Sequence, residues 1–325
     1  MTLEEEIYGL VRDDLEEVEK HLLEWSRSDG DFISHVVPEM IHAGGKRLRP
    51  TLVLICAKSC NYWGERGIRL AAAMELIHTA SLIHNDVIDN ADMRRGIATI
   101  NSRWGDRISV LVGDHIYSRV FAVLAEHGDM DVMQSIASAT TQMTEGQLAQ
   151  TLSRNDVSLS EGKYLSIIAD KTASLISCSC RVGAMLGGTS NGKVETLSRY
   201  GLNLGMAFQI TDDLLDLVGR EDAVGKPLRK DICEGKLTLP LIHTMRVADK
   251  KDREWLENAF KSGPIDGNAL MRMKELIEHY RGIEYSLEKA RAYGEMCKKE
   301  VESLRKSAFR DALADFPDYV VGRAY

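Results

Sequence analysis

The chain has 325 residues, 44% of them hydrophobic and 28% charged, the balance of a globular protein with enough chain for a large core. Its net charge of −8 excludes a general nucleic-acid binder, whose affinity comes from neutralising phosphates. The acidic start, MTLEEEIYGLVRDDLEEVEK, has neither a basic region nor an apolar core, and no apolar run approaches the ~20 residues of a membrane span; a cytoplasmic location without an anchor is expected.

From the first residues onward the pattern is helical. Leu3, Ile7, Leu10, Val11, Leu15, Val18 and Leu22 recur at spacings of three and four, with acids and lysines between them. Similar stripes predict helices over 66–90, 107–126, 131–153, 161–187, 194–218, 237–248 and 268–306. Breaks are expected at Asp29-Gly30, Gly44-Gly45, Gly187-Gly188, Gly225-Lys226-Pro227 and Gly263-Pro264. Six prolines in the whole chain suit long helices, and no alternating run reads as a strand. One all-α domain spanning 1–325 is expected. The six cysteines (56, 60, 178, 180, 233 and 297) lack the paired C-x2-C spacing of a zinc framework and read as buried thiols.

The segment 71–89, AAAMELIHTASLIHNDVID, is apolar around most of its circumference, as buried helices are, yet it ends in Asn85, Asp86 and Asp89. Acids are rarely buried unless paired or bound to metal, so a central helix running into a polar cavity is expected. A second cluster, Asp212, Asp213 and Asp216 in FQITDDLLDLVG, completes the pattern D-D-x-x-D that Asn85 interrupts. Residues i and i+4 share a helix face, so Asn85 projects with Asp89, and Asp212 with Asp216. Such pairs suit Mg2+, a hard cation that takes a few carboxylates and shares substrate phosphate oxygens. A solvated helix face is the alternative for either cluster alone. Basic residues supply a complement: Lys46, Arg47 and Arg49 in GGKRLRP, Arg94 and Arg95 after the first acids, Lys171-Thr172, and Lys226, Lys230 and Lys236. Acid pairs with basic clusters point to diphosphates held through Mg2+. His78 lies two turns before Asn85, where it reads either as a diphosphate contact or as a core histidine.

Six motifs in order, GGKRLRP, ELIHTASLIHNDVIDNADMRRG, GDHIYSRVF, DKTASLI, FQITDDLLDLVG and GKLTLPLI, resemble the trans-isoprenyl diphosphate synthases over nearly the whole chain, most of all the bacterial long-chain polyprenyl enzymes. The resemblance implies a bundle of long helices around a deep central cavity, with the acid motifs facing each other across its mouth, a homodimer, and head-to-tail transfer of an allylic group to isopentenyl diphosphate. It implies three Mg2+ ions, with Asn85, Asp89 and Asp212 as principal positions and Asp86, Asp213 and Asp216 in support. Lys46, Arg49, His78 and Arg95 would hold isopentenyl diphosphate. Arg94, Lys171 and Lys226 would hold the allylic prenyl diphosphate, with Lys236 in support, while Thr172 and Gln209 would turn oxygens toward the allylic cation. Phe208 would pack on the isopentenyl group or serve as a core aromatic. Asn85, Arg229 and the Gly146-Gln147 pair depart from the family pattern. Small residues at Ala80 and Ser81, with Met74 three turns below Asn85, imply an open tunnel and a long product. The alternatives are a shorter-chain synthase, a partner-dependent subunit that binds without catalysis, and a terpene cyclase, against which the isopentenyl-binding set argues.

Overall fold

Local signals in the sequence start the helices. Thr2 and Glu5 form a capping box, each side chain satisfying the other's backbone N–H, and this sets the start of α1, Leu3–Gly9. Thr99, Ser160 and Asp266 cap later helices in the same way, each accepting from a backbone N–H three residues on. The computed structural model describes residues 2–27, 31–126, 129–218, 230–261 and 265–322. Among these the fold is all-α, with one two-residue hairpin. Lys226, Arg229 and the breaks at Asp29-Gly30, Gly225-Pro227 and Gly263-Pro264 lie outside the described residues.

The chain divides into two compact units, and each gathers three separate segments. The first comprises Met1–Thr140, Leu175–Gly201 and Glu300–Asp315. Its axis is α5, Glu65–Ile88, packed by α2 (Arg12–Trp25), α4 (Leu48–Ser59) and α7 (Asp106–Glu126); α3 is Asp31–His42 and α6 is Ile100–Trp104. Ala71, Ala72, Ala73, Met74, Ile77 and Ala80 are completely buried on α5. After α5 come β1, Met93–Arg94, and β2, Ile97–Ala98, joined through Arg95 (φ +49°) and Gly96 (φ +80°). Two successive positive φ values are those of a type I′ turn, whose twist fits a two-residue hairpin.

α7 changes one expectation. It is long and apolar enough to cross a membrane by length and composition, although the sequence reading found no such run. Only 39% of its apolar window is buried, and Val110 and Leu111 are exposed.

The second unit comprises Thr141–Ser174, Leu202–Lys299 and Phe316–Tyr325. α8, Met130–Leu152, runs into it, followed by α9, Glu161–Ile168. A π-helical turn, Ala169–Ala173, comes next and leads into α10, Ser174–Leu186. α11 is Asn191–Val218 and α12 is Lys230–Cys233. α13, Leu239–Val247, packs on α9 and on α15, Gly267–His279, while α14 is Lys250–Lys261. α16, Gly282–Val301, and α17, Ala308–Gly322, complete the chain. Five cysteines are buried free thiols; Cys233 is exposed, contrary to the expectation for all six.

Candidate active site

In the first unit, four arginines converge on one imidazole. Arg47 is the N-cap of α4 at φ +45°, and Arg49 follows in its first turn. The charges of Arg49, Arg95, Arg94 and Arg47 all reach His78 on α5. Burial first, then these cations, holds the half-buried His78 well below the usual histidine range, so the ring is neutral at pH 7. Arg49 is only 8% exposed, its Nε has no partner, and burial pushes its guanidinium down to about 10. A guanidinium buried on these terms calls for an anion. Arg95 reaches back to donate to the Gly44 carbonyl, and a Cβ on Gly45 would lie 2.7 Å from its Nη1, so glycine there lets the arginine fold over the turn. Lys46 is exposed on the same turn.

Sequence reasoning missed the support beneath this cluster. Arg47 donates to Glu19 (Nε–Oε1 2.5 Å), to Glu75 (Nη1–Oε1 3.1 Å) and to the Ile41 carbonyl (3.0 Å). Glu75 is 4% exposed on the alanine-rich face of α5. An acid inside a buried apolar helix was the available signal, since such a group needs a cationic partner.

The first acid motif closes α5, with Asp89 as its C-cap. Carbonyls at a helix C-terminus form the negative pole of its dipole, so acids there are poorly placed until a cation joins them. Asn85 and Asp89 are half-buried, one turn apart. Asp86 faces the other way, 1% exposed, and both its oxygens accept from Arg94: Nε–Oδ1 2.7 Å, Nε–Oδ2 2.9 Å and Nη2–Oδ1 2.6 Å. Asp86 therefore positions the hairpin arginine.

In the second unit the π-turn places Lys171 and Thr172. Such bulges insert a residue into a helix and recur at functional sites. A Cβ on Gly146 would stand 2.3 Å from the Lys171 backbone N, so only glycine lets α8 approach the bulge this closely. Lys171 Nζ donates to Gln150 Oε1 at 2.5 Å. Thr172 donates to Gln209 Oε1 (2.7 Å), Gln209 Nε2 donates to Asp213 Oδ1 (2.7 Å), and Tyr164 donates to Asp213 Oδ2 (2.6 Å). The directions of this chain leave the Thr172 oxygen as an acceptor. Burial, then the Asp231 charge, pushes the Asp213 carboxyl up to about 8, against the pull of Tyr164 and Gln209. Asp212 is exposed and Asp216 half-buried, and Asp216 accepts from the Asp231 backbone N at 3.2 Å. Lys236 is engaged by Glu234 (2.6 Å) and Asp231 (3.5 Å). Phe208 is half-buried beside Gln209.

The donors suit magnesium. Each motif presents oxygens one turn apart, and among the described residues no three His, Cys, Asp or Glu side chains form a closed cage. Magnesium keeps water and shares phosphate oxygens, so it does not need one.

Gathered arginines and paired helix-borne acids on an all-α frame define an enzyme that handles diphosphates. The chain belongs to the polyprenyl synthetase family, whose model matches residues 31–277, and it is a prenyltransferase. It is 34% identical to an octaprenyl diphosphate synthase of Haemophilus influenzae over 99% of this chain and 97% of that one. It is 35% identical to a short chain isoprenyl diphosphate synthase of Methanothermobacter thermautotrophicus, over 91% and 94% of the two chains. A crystal structure of a polyprenyl synthase from Caulobacter crescentus, complexed with calcium and isoprenyl diphosphate, superposes with a TM-score of 0.95 at 34% identity, covering 99% of this chain and 98% of that one.

Proposed function

We propose that this chain elongates an allylic prenyl diphosphate with successive isopentenyl diphosphate units to an all-trans long-chain product, as one domain acting in the cytoplasm. The gathering of Arg47, Arg49, Arg94 and Arg95 around a neutral His78 carries the reading, because it is built for a multiply charged anion. Lys46, Arg49, His78 and Arg95 hold isopentenyl diphosphate. Arg94, Lys171 and Lys226 hold the allylic diphosphate with Lys236, and Asp86 acts through Arg94. Asn85, Asp89, Asp212, Asp213 and Asp216 are the magnesium-side residues, for three ions. Bound magnesium supplies neutralising charge to the departing diphosphate. The oxygens of Thr172 and Gln209 face the allylic cation, and apolar walls keep water from it. The isopentenyl double bond forms the new carbon–carbon bond, and a proton leaves to the released diphosphate. The test is to incubate the protein with Mg2+, isopentenyl diphosphate and farnesyl or geranylgeranyl diphosphate, then size the products. No elongation at any Mg2+ concentration would overturn the reading.

Product length depends on the face of α5 below Asn85. Ser81, Ile77, Met74 and Leu70 fall on one face, descending from Asn85. Ile77 and Met74 are 0% exposed, and Leu70 lines a small, partly open pocket with Trp25, Val123, Leu124, Val132 and Met133, rimmed by Arg66, Arg69 and Asp129. Ser81→Phe puts an aromatic one turn below Asn85 and is expected to shorten the main product; an unchanged product size by chromatography would refute the tunnel along this face.

Asn85 brings an oxygen but no charge. Asn85→Asp is expected to lower the Mg2+ concentration for half-maximal rate several-fold, since one added unit of charge near a divalent ion is worth about a few kcal/mol before desolvation. The same requirement in both proteins would place residue 85 away from the metal.

We further propose that a second copy of the chain covers α7. Val110 and Leu111 are 40% and 63% exposed on a helix of membrane-like apolarity, while Arg107, Asp114 and Arg119 on the same helix would be costly in lipid. Leu111→Glu is expected to convert a dimer into a monomer in sedimentation experiments; a wild-type chain that sediments as a monomer would remove this interface. The free thiols fit a reducing compartment.

A further inference from the structure

The last turn of α5 carries Asn85 and leads into Asp89, and it is fastened on two sides. One fastening joins Asp86 to Arg94 of the hairpin. The other joins His84 to α7. His84 Nε2–H donates to the Val110 carbonyl at 3.2 Å, and Asp114 Oδ1 lies 3.5 Å from the same nitrogen. The Tyr117 ring flanks the imidazole, with centroids 5.8 Å apart. Gly113 makes the seat: a Cβ there would overlap Nε2 and stand 2.5 Å from Cδ2. At about 100° per residue, Asn85 and Asp89 stand about 100° and about 140° around the helix from His84, and Asp86 about 200°. The metal-side pair therefore lies between the two fastenings. Such a turn needs them, because helix ends fray and the C-terminal carbonyls repel acids until a cation arrives.

We propose that His84 is a positioning residue for magnesium. It holds the last turn of α5 against α7, so Asn85 and Asp89 keep their one-turn spacing before the ion binds. It acts through the backbone that carries them, not by contact with substrate. The consequence for magnesium rests on the proposed function, which assigns Asn85 and Asp89 to the metal. Because the fold has already ordered this turn, magnesium does not bear that cost on binding.

The test compares wild type with His84→Leu, His84→Gln and Gly113→Ala. Hydrogen exchange is followed over residues 83–90 in the metal-free protein. Melting temperatures are measured across an Mg2+ series with a thiolo analogue of farnesyl diphosphate that does not ionise. In His84→Leu the segment 83–90 is expected to exchange about three- to tenfold faster, as for loss of one hydrogen bond. The Mg2+ concentration for half of the analogue-induced shift should rise by a similar factor. Gly113→Ala displaces the ring without removing it and should change both readouts in the same way, and it decides if His84→Leu does not fold. Without ligand it should melt near the wild-type temperature, because alanine favours a helix over glycine. His84→Gln, whose amide N–H can reach the Val110 carbonyl, should bring both readouts back toward wild type. Gly113→Ala with wild-type exchange or a wild-type Mg2+ requirement would overturn the inference, whatever its melting temperature. A glutamine variant as impaired as the leucine one would overturn the hydrogen bond as the cause. If wild type shows no Mg2+-dependent shift with the analogue, the proposed function falls together with the inference. If wild type shifts and the variants match it, only the inference falls.

Discussion

Arg94→Leu is expected to cost about 3–5 kcal/mol of stability, the penalty for leaving a buried carboxylate without its partner. Asp86 is 1% exposed and both of its oxygens are held by Arg94 within 2.9 Å. Removing the guanidinium leaves a charge that must find water, take up a proton or open the end of α5. The hairpin Met93–Ala98 loses its tie to that helix, so Arg95, in its turn, loses its position as well. In a thermal melt the drop should be roughly 5 °C for a chain of this length. Arg94→Leu with Asp86→Leu removes both charges and should recover most of the lost stability while remaining inactive, since buried ion pairs replaced together by apolar groups are often tolerated. A single variant as stable as wild type would show that the pair does not fasten the hairpin. A double variant with normal turnover would show that neither residue serves the allylic diphosphate.

Much of this arrangement can be read from residue spacing, and the exceptions have physical causes. The stripe over 66–90 is α5, Glu65–Ile88, and that over 107–126 is α7, because long apolar periodicity reports burial directly. The stripe over 161–187 is instead α9, a π-turn and α10: inserting one residue shifts the face without any glycine or proline to mark it. The stripe over 268–306 breaks at Tyr280–Arg281, where Arg281 takes φ +61°, and 3–22 breaks at Leu10–Val11; each break has a single glycine beside it, Gly282 and Gly9, a weaker signal than the paired breakers elsewhere. The hairpin escapes for a related reason. Type I′ turns favour asparagine, aspartate or glycine first, and here Arg95 holds that place. The acid pairs were legible because i,i+4 geometry depends on the helix alone. The tie of Arg47 to Glu19 and Glu75 spans 28 residues in both directions, and such contacts come from packing that no local pattern encodes.

Asp212→Ala is expected to lower kcat about 10²–10³-fold, the loss seen when one electrostatic stabiliser of a transition state is removed. Asp212 is exposed and shares a helix face with Asp216, while Asp213 between them is buried against Tyr164 and Gln209. The three acids therefore separate by role. Asp212 is exposed, so its truncation opens no cavity in the core and its variant should melt near the wild-type temperature. Asp213→Ala deprives Tyr164 and Gln209 of their acceptor, and Gln209 in turn fixes Thr172, so it should lose stability and turnover together. Excess Mg2+ should recover part of the rate for Asp212→Ala, because weaker ion binding is its main defect, and little for Asp213→Ala. Incorporation of labelled isopentenyl diphosphate across an Mg2+ series, with parallel melts, measures both. If Asp212→Ala turns over within about threefold of wild type at low Mg2+, the exposed acid is a solvated surface residue and the metal must rely on other donors.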